Sequence, residues 1–177
     1  MSKFFSAVKE LLVTLVVAIL IAMVLKFFIL DSCKILSGSM EPTLVKDDRI
    51  LVFKLSYVFG EPQRGDIIIF DPPKEVDEGV EYIKRVIGLP GETIEIKEGM
   101  VYIDGEPYEE DYIAEKPTYT FGPVTVPEGE YFVLGDNRNR SADAHVWTYP
   151  FISLDDIQSK AICQYYPFSE IGLLSND

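Results

Sequence analysis

The octet Ser37-Gly38-Ser39-Met40-Glu41-Pro42-Thr43-Leu44 offers two hydroxyls on a stretch whose glycine admits a close backbone and whose proline fixes the chain's course. It suits a serine nucleophile, and it is equally the composition of an ordinary loop. A nucleophilic serine needs a base, and two kinds are present. The single histidine, His145, stands near Asp136 and Asp143, so a Ser39-His145-Asp triad is open by composition. The other base is a lysine kept neutral by removal from water. In Tyr82-Ile83-Lys84-Arg85-Val86-Ile87, a period of two places Lys84 with Tyr82 and Val86, where an ammonium ion is disfavoured. Arg85 takes the opposite face with Ile83 and Ile87. Most lysines on strands run out to water instead.

A third polar cluster, Gly135-Asp136-Asn137-Arg138-Asn139-Arg140-Ser141-Ala142-Asp143, follows an apolar run and could form a hydrogen-bonded loop with a hydroxyl to orient an amine; it also reads as a plain turn. Other hydrolytic signatures are missing. Ser37 and Glu41 occupy the glycine positions of a Gly-x-Ser-x-Gly elbow, and Pro42 stands where Ser-x-x-Lys requires lysine. Ser6-Ala7-Val8-Lys9 has that spacing but precedes the apolar run described next. One histidine, two cysteines and no His-Glu-x-x-His argue against a standard zinc site, and no metal or cofactor is expected. Whether Cys33 and Cys163 pair is left open, because sequence does not give their separation.

These residues need a scaffold, and its first element is apolar. Residues 11–30 are interrupted only by Lys26 and match the roughly 20 positions of a membrane-spanning helix. A cleaved leader and a retained anchor both fit the basic start at Lys3 and Lys9. The length of the run and the lack of a small-x-small site close behind it favour an anchor. The expectation is a cytosolic segment 1–10, an anchor 11–30 in the plasma membrane, and an extracytoplasmic domain 31–177. That last portion carries 13 Lys/Arg against 28 Asp/Glu, so nucleic acid is not an expected partner.

The domain reads as β. Short apolar or β-branched runs at 49–54, 66–70, 82–87, 93–97, 100–104 and 131–134 alternate with Gly, Pro and Asp turn signals, and Glu98-Gly99 joins two of them as a hairpin. A turn of helix is expected around 154–159. The region at about 105–130, rich in prolines, acids and tyrosines, reads as a surface excursion. The fold class is therefore mainly β: an N-terminal transmembrane helix, then an antiparallel sheet or open barrel. Trp147, Tyr149 and Phe151 suit either a bilayer interface or a core.

Taken in order along the chain, these segments resemble the bacterial type I signal peptidases, membrane-anchored serine proteases with a Ser-Lys dyad. The resemblance runs from the anchor to about Pro167 and rests on four boxes: residues 37–44, Arg64-Gly65-Asp66-Ile67-Ile68-Ile69-Phe70, residues 82–91, and Gly135-Asp136-Asn137-Arg138 through Ser141 and Asp143. It implies that Ser39 attacks the scissile carbonyl and neutral Lys84 takes its proton. It further implies that Ser37 and the Ser39 N–H stabilise the oxyanion, that Ser141 orients the amine, and that Asp143 and Arg85 brace the site. Ile35, Met40, Leu44, Tyr82 and Ile83 would line shallow pockets. The implied substrates are precursor proteins cut after small-x-small sites, presented at a lipid bilayer. The chain departs from the pattern at Asp143-Ala144-His145, where many members have Asp-Ser-Arg, and at Cys33, where an aromatic is common. The altered pair is the one support for an alternative, an inactive relative that binds signal peptides or serves a secretion assembly.

Overall fold

The computed structural model describes residues 2–73, 75–76 and 79–174. An α-helix, α1 (Ser2–Val24), continues through one π-turn, Leu25–Ile29, before the chain turns extended at Leu30. Within the apolar helical segment Phe4–Ile29, the most apolar 18-residue stretch has a mean hydropathy of 2.9 and none of it is buried, which fits a helix whose partner is lipid. It begins earlier than the expected 11–30, and Leu30 already belongs to the sheet. Helical geometry continues back through Ser6 and Lys9 because no Gly or Pro interrupts it.

Among the described residues, twelve strands follow. β1 (Leu30–Lys34) runs away from the helix and β2 (Arg49–Phe53) returns toward it. Next come β3 (Ile67–Phe70), β4 (Tyr82–Gly88), β5 (Thr93–Lys97), β6 (Met100–Ile103), β7 (Glu106–Tyr108), β8 (Phe121–Thr125) and β9 (Glu130–Leu134). The chain closes with β10 (Ile152–Ser153), β11 (Ile157–Tyr166) and β12 (Gly172–Leu173). The larger sheet has the order β1-β2-β11-β3-β4-β9-β10, with β12 on β11; β7-β6-β5-β8 form a second sheet. Every described pairing is antiparallel.

The central strands carry the burial. All four residues of β3 are buried, Ile68 and Phe70 in one apolar cluster and Ile67 and Ile69 in another, so this part of the sheet is covered on both faces. Each such isoleucine contributes about 1.5–3 kcal/mol relative to exposure. The register places Lys84 opposite Ile68 and Arg85 opposite Ile67. Both side chains are buried there, Lys84 at 4 % and Arg85 at 0 % exposure.

The β5–β6 hairpin turns through Glu98 and Gly99, both with positive φ, 53° and 74°, the backbone that a two-residue hairpin loop demands. The expected helical turn at 154–159 is only a 3₁₀ turn, Leu154–Asp156, and the chain then enters the ten-residue β11. Its Ser159, Lys160 and Gln164 obscure the alternation, because β11 pairs with both β2 and β3 and carries register shifts. The excursion at about 105–130 contains β7 and β8, which complete the second sheet. Cys33 pairs across to Ile50 and Cys163 to Leu51, on opposite sides of β2. Two interstrand steps, about 9–10 Å, separate them, which is beyond disulfide reach. Both thiols are free. Trp147 and Phe151 lie in the core at 8 % exposure, and exposed Tyr149 donates its hydroxyl to Glu130 at 2.6 Å.

Candidate active site

The loop that carries Ser39 hangs from the end of β1. Ile35 exchanges backbone bonds with the 47–48 turn, the Glu41 N–H closes a turn on Gly38 O, and Leu44 N–H reaches Met40 O at 3.0 Å. Met40 and Leu44 are fully buried and pin the loop from beneath. From the other side, Asn137 donates its backbone N–H to Ser39 O at 3.0 Å and its side-chain amide to Gly38 O at 2.9 Å. Ser39 is thus presented on a loop gripped from two directions.

Lys84 meets it from β4. Its Nζ lies 2.9 Å from Ser39 Oγ and 3.0 Å from Ile83 O, and the residue is 4 % exposed. Tyr82, packed edge-on against Phe70 and tilted against Trp147, places its ring centroid 5.3 Å from the amine. Loss of water pulls the Lys84 amine down to about 8, and the carboxylates of Asp143 and Asp136 only partly oppose it. A substantial neutral fraction therefore exists at mildly alkaline pH. Ser37 Oγ stands 3.3 Å from Ser39 Oγ.

Beneath this pair sits a buried charge network. Arg85 Nε donates to Asp136 Oδ1 at 2.9 Å, Nη2 to Asp136 Oδ2 at 2.7 Å, and Nη1 to Gly65 O at 2.9 Å. Thr43 Oγ1 donates to the same Asp136 oxygen at 2.6 Å, tying the Ser39 loop to the loop at 135–143. Asp143 accepts the Gly135 N–H at 2.8 Å and meets His145 Nδ1 at 2.6 Å. Gly135 is tight: a Cβ there would lie 2.4 Å from Ser39 O and 2.3 Å from Ser141 Oγ.

A cleft of about 1060 Å³ opens over Ser39 and Lys84, and Ile35, Tyr82 and Ile83 are in its wall. Met40 and Leu44, expected as pocket residues, do not line it; they are core, because the turn at Pro42 folds them under the loop. Ser141 also differs from expectation. Its Oγ is buried without a hydrogen-bond partner, close to Gly135, while the amine is held by Ile83 O. His145 does not line the cleft and faces Asp143, so the geometry offers Ser39 no imidazole. Sequence reasoning missed Asn137 as a clamp on the Ser39 loop. It also missed Glu110 and Tyr112, which meet Arg138 and Arg85 from the excursion. Asn137 lay inside a recognised box, whereas nothing local marked the other two.

A family described as Signal peptidase, peptidase S26, matches residues 8–166. The chain belongs to the signal peptidase family. Among its relatives, a probable signal peptidase I-1 of Synechocystis sp. (strain ATCC 27184 / PCC 6803 / Kazusa) is 45 % identical over 174 residues, covering 96 % of this chain and 88 % of the relative. A signal peptidase I of Leptolyngbya laminosa is 40 % identical over 174 residues, covering 96 % and 85 %. A crystal structure of a signal peptidase I from Enterococcus faecalis V583 aligns with 57 % of this chain and 97 % of its own at 39 % identity, with a TM-score of 0.48. The signal peptidase match takes in all four sequence boxes and most of α1, whose apolar surface fits membrane anchoring.

Proposed function

We propose that this signal peptidase hydrolyses one peptide bond in signal-peptide-bearing precursors by a Ser39–Lys84 dyad. The observation that carries the reading is the 2.9 Å contact between Lys84 Nζ and Ser39 Oγ, made where the amine is desolvated. Ser39 Oγ attacks the scissile carbonyl carbon as neutral Lys84 takes the hydroxyl proton. The Ser39 N–H and the Ser37 hydroxyl donate to the developing oxyanion. The ammonium of Lys84 then protonates the leaving amine, the C–N bond breaks, and the mature protein departs, leaving the signal peptide acylated on Ser39. Water, deprotonated by the same amine, attacks the ester and frees the signal peptide.

The substrate enters extended between the chain leading to Ser39 and β4, with Ile35, Tyr82 and Ile83 leaving room for small side chains before the cut. The helix anchors the enzyme in the plasma membrane with its N-terminus cytosolic and the catalytic domain outside. This follows from the basic flank at Lys3 and Lys9. The intact contact between Ser39 and Lys84 supports the enzyme over an inactive binding factor. The test is cleavage of a purified precursor by the full chain: Ser39→Ala and Lys84→Ala each lose about 10³-fold or more in kcat. A Lys84→Ala enzyme near wild-type activity would end the dyad reading.

A further inference from the structure

Residues 110–119 cross back to the segment at 135–145 and grip it at three points. The Glu110 carboxylate takes Arg138 Nη1 at 2.5 Å and Nη2 at 2.7 Å, with Tyr112 donating to the same carboxylate and stacking 3.9 Å from Arg85. Thr118 donates its N–H and its hydroxyl to Asn139 Oδ1, at 2.9 and 3.0 Å. At the third point, the Tyr119 ring lies flat on the His145 imidazole, with centroids 3.9 Å apart and planes 10° from parallel.

The third grip continues toward the reacting atoms. A carboxylate only accepts, so His145 carries its proton on Nδ1 and donates to Asp143 Oδ1 at 2.6 Å. The other Asp143 oxygen accepts the Gly135 N–H, and Gly135 is packed against Ser39 O and Ser141. Asn137, two residues on, bonds Ser39 O directly. The Tyr119 hydroxyl is buried without a hydrogen-bond partner. An unpaired buried hydroxyl is a cost, so the contact of the ring with His145 and its neighbours, and not the polar tip, accounts for its placement.

We propose that Tyr119 and His145 act as a stacked pair of positioning residues, fixing Asp143 and through it the Gly135 backbone that supports Ser39 against Lys84. This rests on the dyad reading. An imidazole whose ring plane is held by a flat neighbour keeps Nδ1 on Asp143. Without that neighbour the ring rotates and Asp143 keeps only the backbone N–H donors of Gly135 and His145.

The test uses the full chain in detergent micelles with a purified precursor. Tyr119→Phe keeps kcat within about twofold, because the hydroxyl makes no bond. Tyr119→Ala and His145→Ala each lower kcat about tenfold with KM nearly unchanged, the scale of a small misplacement at the reacting centre. The double variant is no slower than either single one, since both act through one path. His145→Asn, whose amide nitrogen can take the place of Nδ1, recovers most of the loss. His145→Ala also moves the acid limb of kcat/KM to higher pH, because Asp143 then turns its full charge on Lys84. The charged groups facing the amine are Asp143 and Asp136; those around the stacked pair are Asp143, Arg138 and Glu110.

Wild-type kcat in Tyr119→Ala, additive losses in the double variant, or no recovery in His145→Asn would each overturn the proposal. Should Tyr119→Ala not fold, Tyr119→Leu, which fills space without a flat face, is read by the same criteria. Failure of the dyad is distinguishable, because it shows as activity in Lys84→Ala whatever Tyr119 does.

Discussion

Lys84 Nζ lies 2.9 Å from Ser39 Oγ across 45 residues of sequence, in a place that water does not reach freely. Desolvation brings the amine down to about 8, and only its neutral form can accept the serine proton. The rate of precursor cleavage should therefore rise with pH through about 8 and level off above it. A profile of kcat/KM over neutral to alkaline pH checks this. A limb lying well below 8 would point to another base. Lys84→Arg should be inactive at every pH, since a guanidinium stays charged.

The same burial makes Lys84 a liability for folding. The unfolded chain holds the proton up to the ordinary 10.5 and the folded chain only to about 8. Between those values the unfolded state binds more protons, so stability rises as pH climbs. Below about 8 the full penalty is present, on the order of 3 kcal/mol. Lys84→Met should abolish cleavage yet raise the thermal midpoint by roughly 6–12 °C at neutral pH, with the gain shrinking toward pH 10. Thermal unfolding of both proteins at several pH values reads this directly.

Two glycines separate activity from stability. At Gly135 an added Cβ would lie 2.4 Å from the Ser39 carbonyl oxygen, and that backbone cannot give without moving the nucleophile. Gly135→Ala should cost about a hundredfold in kcat with KM little changed. At Gly88 the Cβ would meet Ile94 and Phe132 within 3 Å, far from the reacting atoms. Gly88→Ala should lower stability by about 1–3 kcal/mol and leave the kcat of the folded fraction intact. Steady-state kinetics alongside denaturant titration distinguish the two outcomes.

Arg85 and Asp136 are both essentially absent from solvent and joined by two hydrogen bonds. Asp136→Asn leaves a buried guanidinium facing a neutral amide. The expected loss is about 3–5 kcal/mol, with activity failing at lower temperature than in the wild type. A urea titration measures the first effect and a temperature series of cleavage rates the second.

Much of this was legible in the chain because local rules and the global fold agreed. The strand at 82–87 announced itself by alternation, and the hairpin at Glu98-Gly99 by its turn residues. By type and spacing alone Ser39 read equally as a loop serine and Lys84 as a strand lysine reaching water; the family resemblance carried by the four boxes joined them as a dyad. β1 was hidden, because Leu30-Asp31-Ser32-Cys33-Lys34 looks like the polar end of a span and gains its structure only by pairing with β2. β11 was hidden by polar residues that its two neighbours tolerate. Glu110, Tyr112 and Tyr119 left no trace, since the arginines and the histidine they meet lie 20 or more residues away in sequence and only the folded chain brings them together. Met40 and Leu44 were misplaced for a related reason: apolar residues beside a nucleophile face the cleft or the core according to a turn that spacing alone does not orient.

The most direct measurement replaces the base atom by atom. In a chain with Cys33→Ala and Cys163→Ala, Lys84→Cys removes the amine, and alkylation with 2-bromoethylamine rebuilds it as a thioether analogue of lysine. The cysteine variant should be inactive, alkylation should restore cleavage, and the acid limb of kcat/KM should move to lower pH, because sulfur withdraws electron density from the amine. Restored activity with an unmoved limb, or a cysteine variant that cleaves before alkylation, would contradict the assignment of Lys84 as the base that activates Ser39.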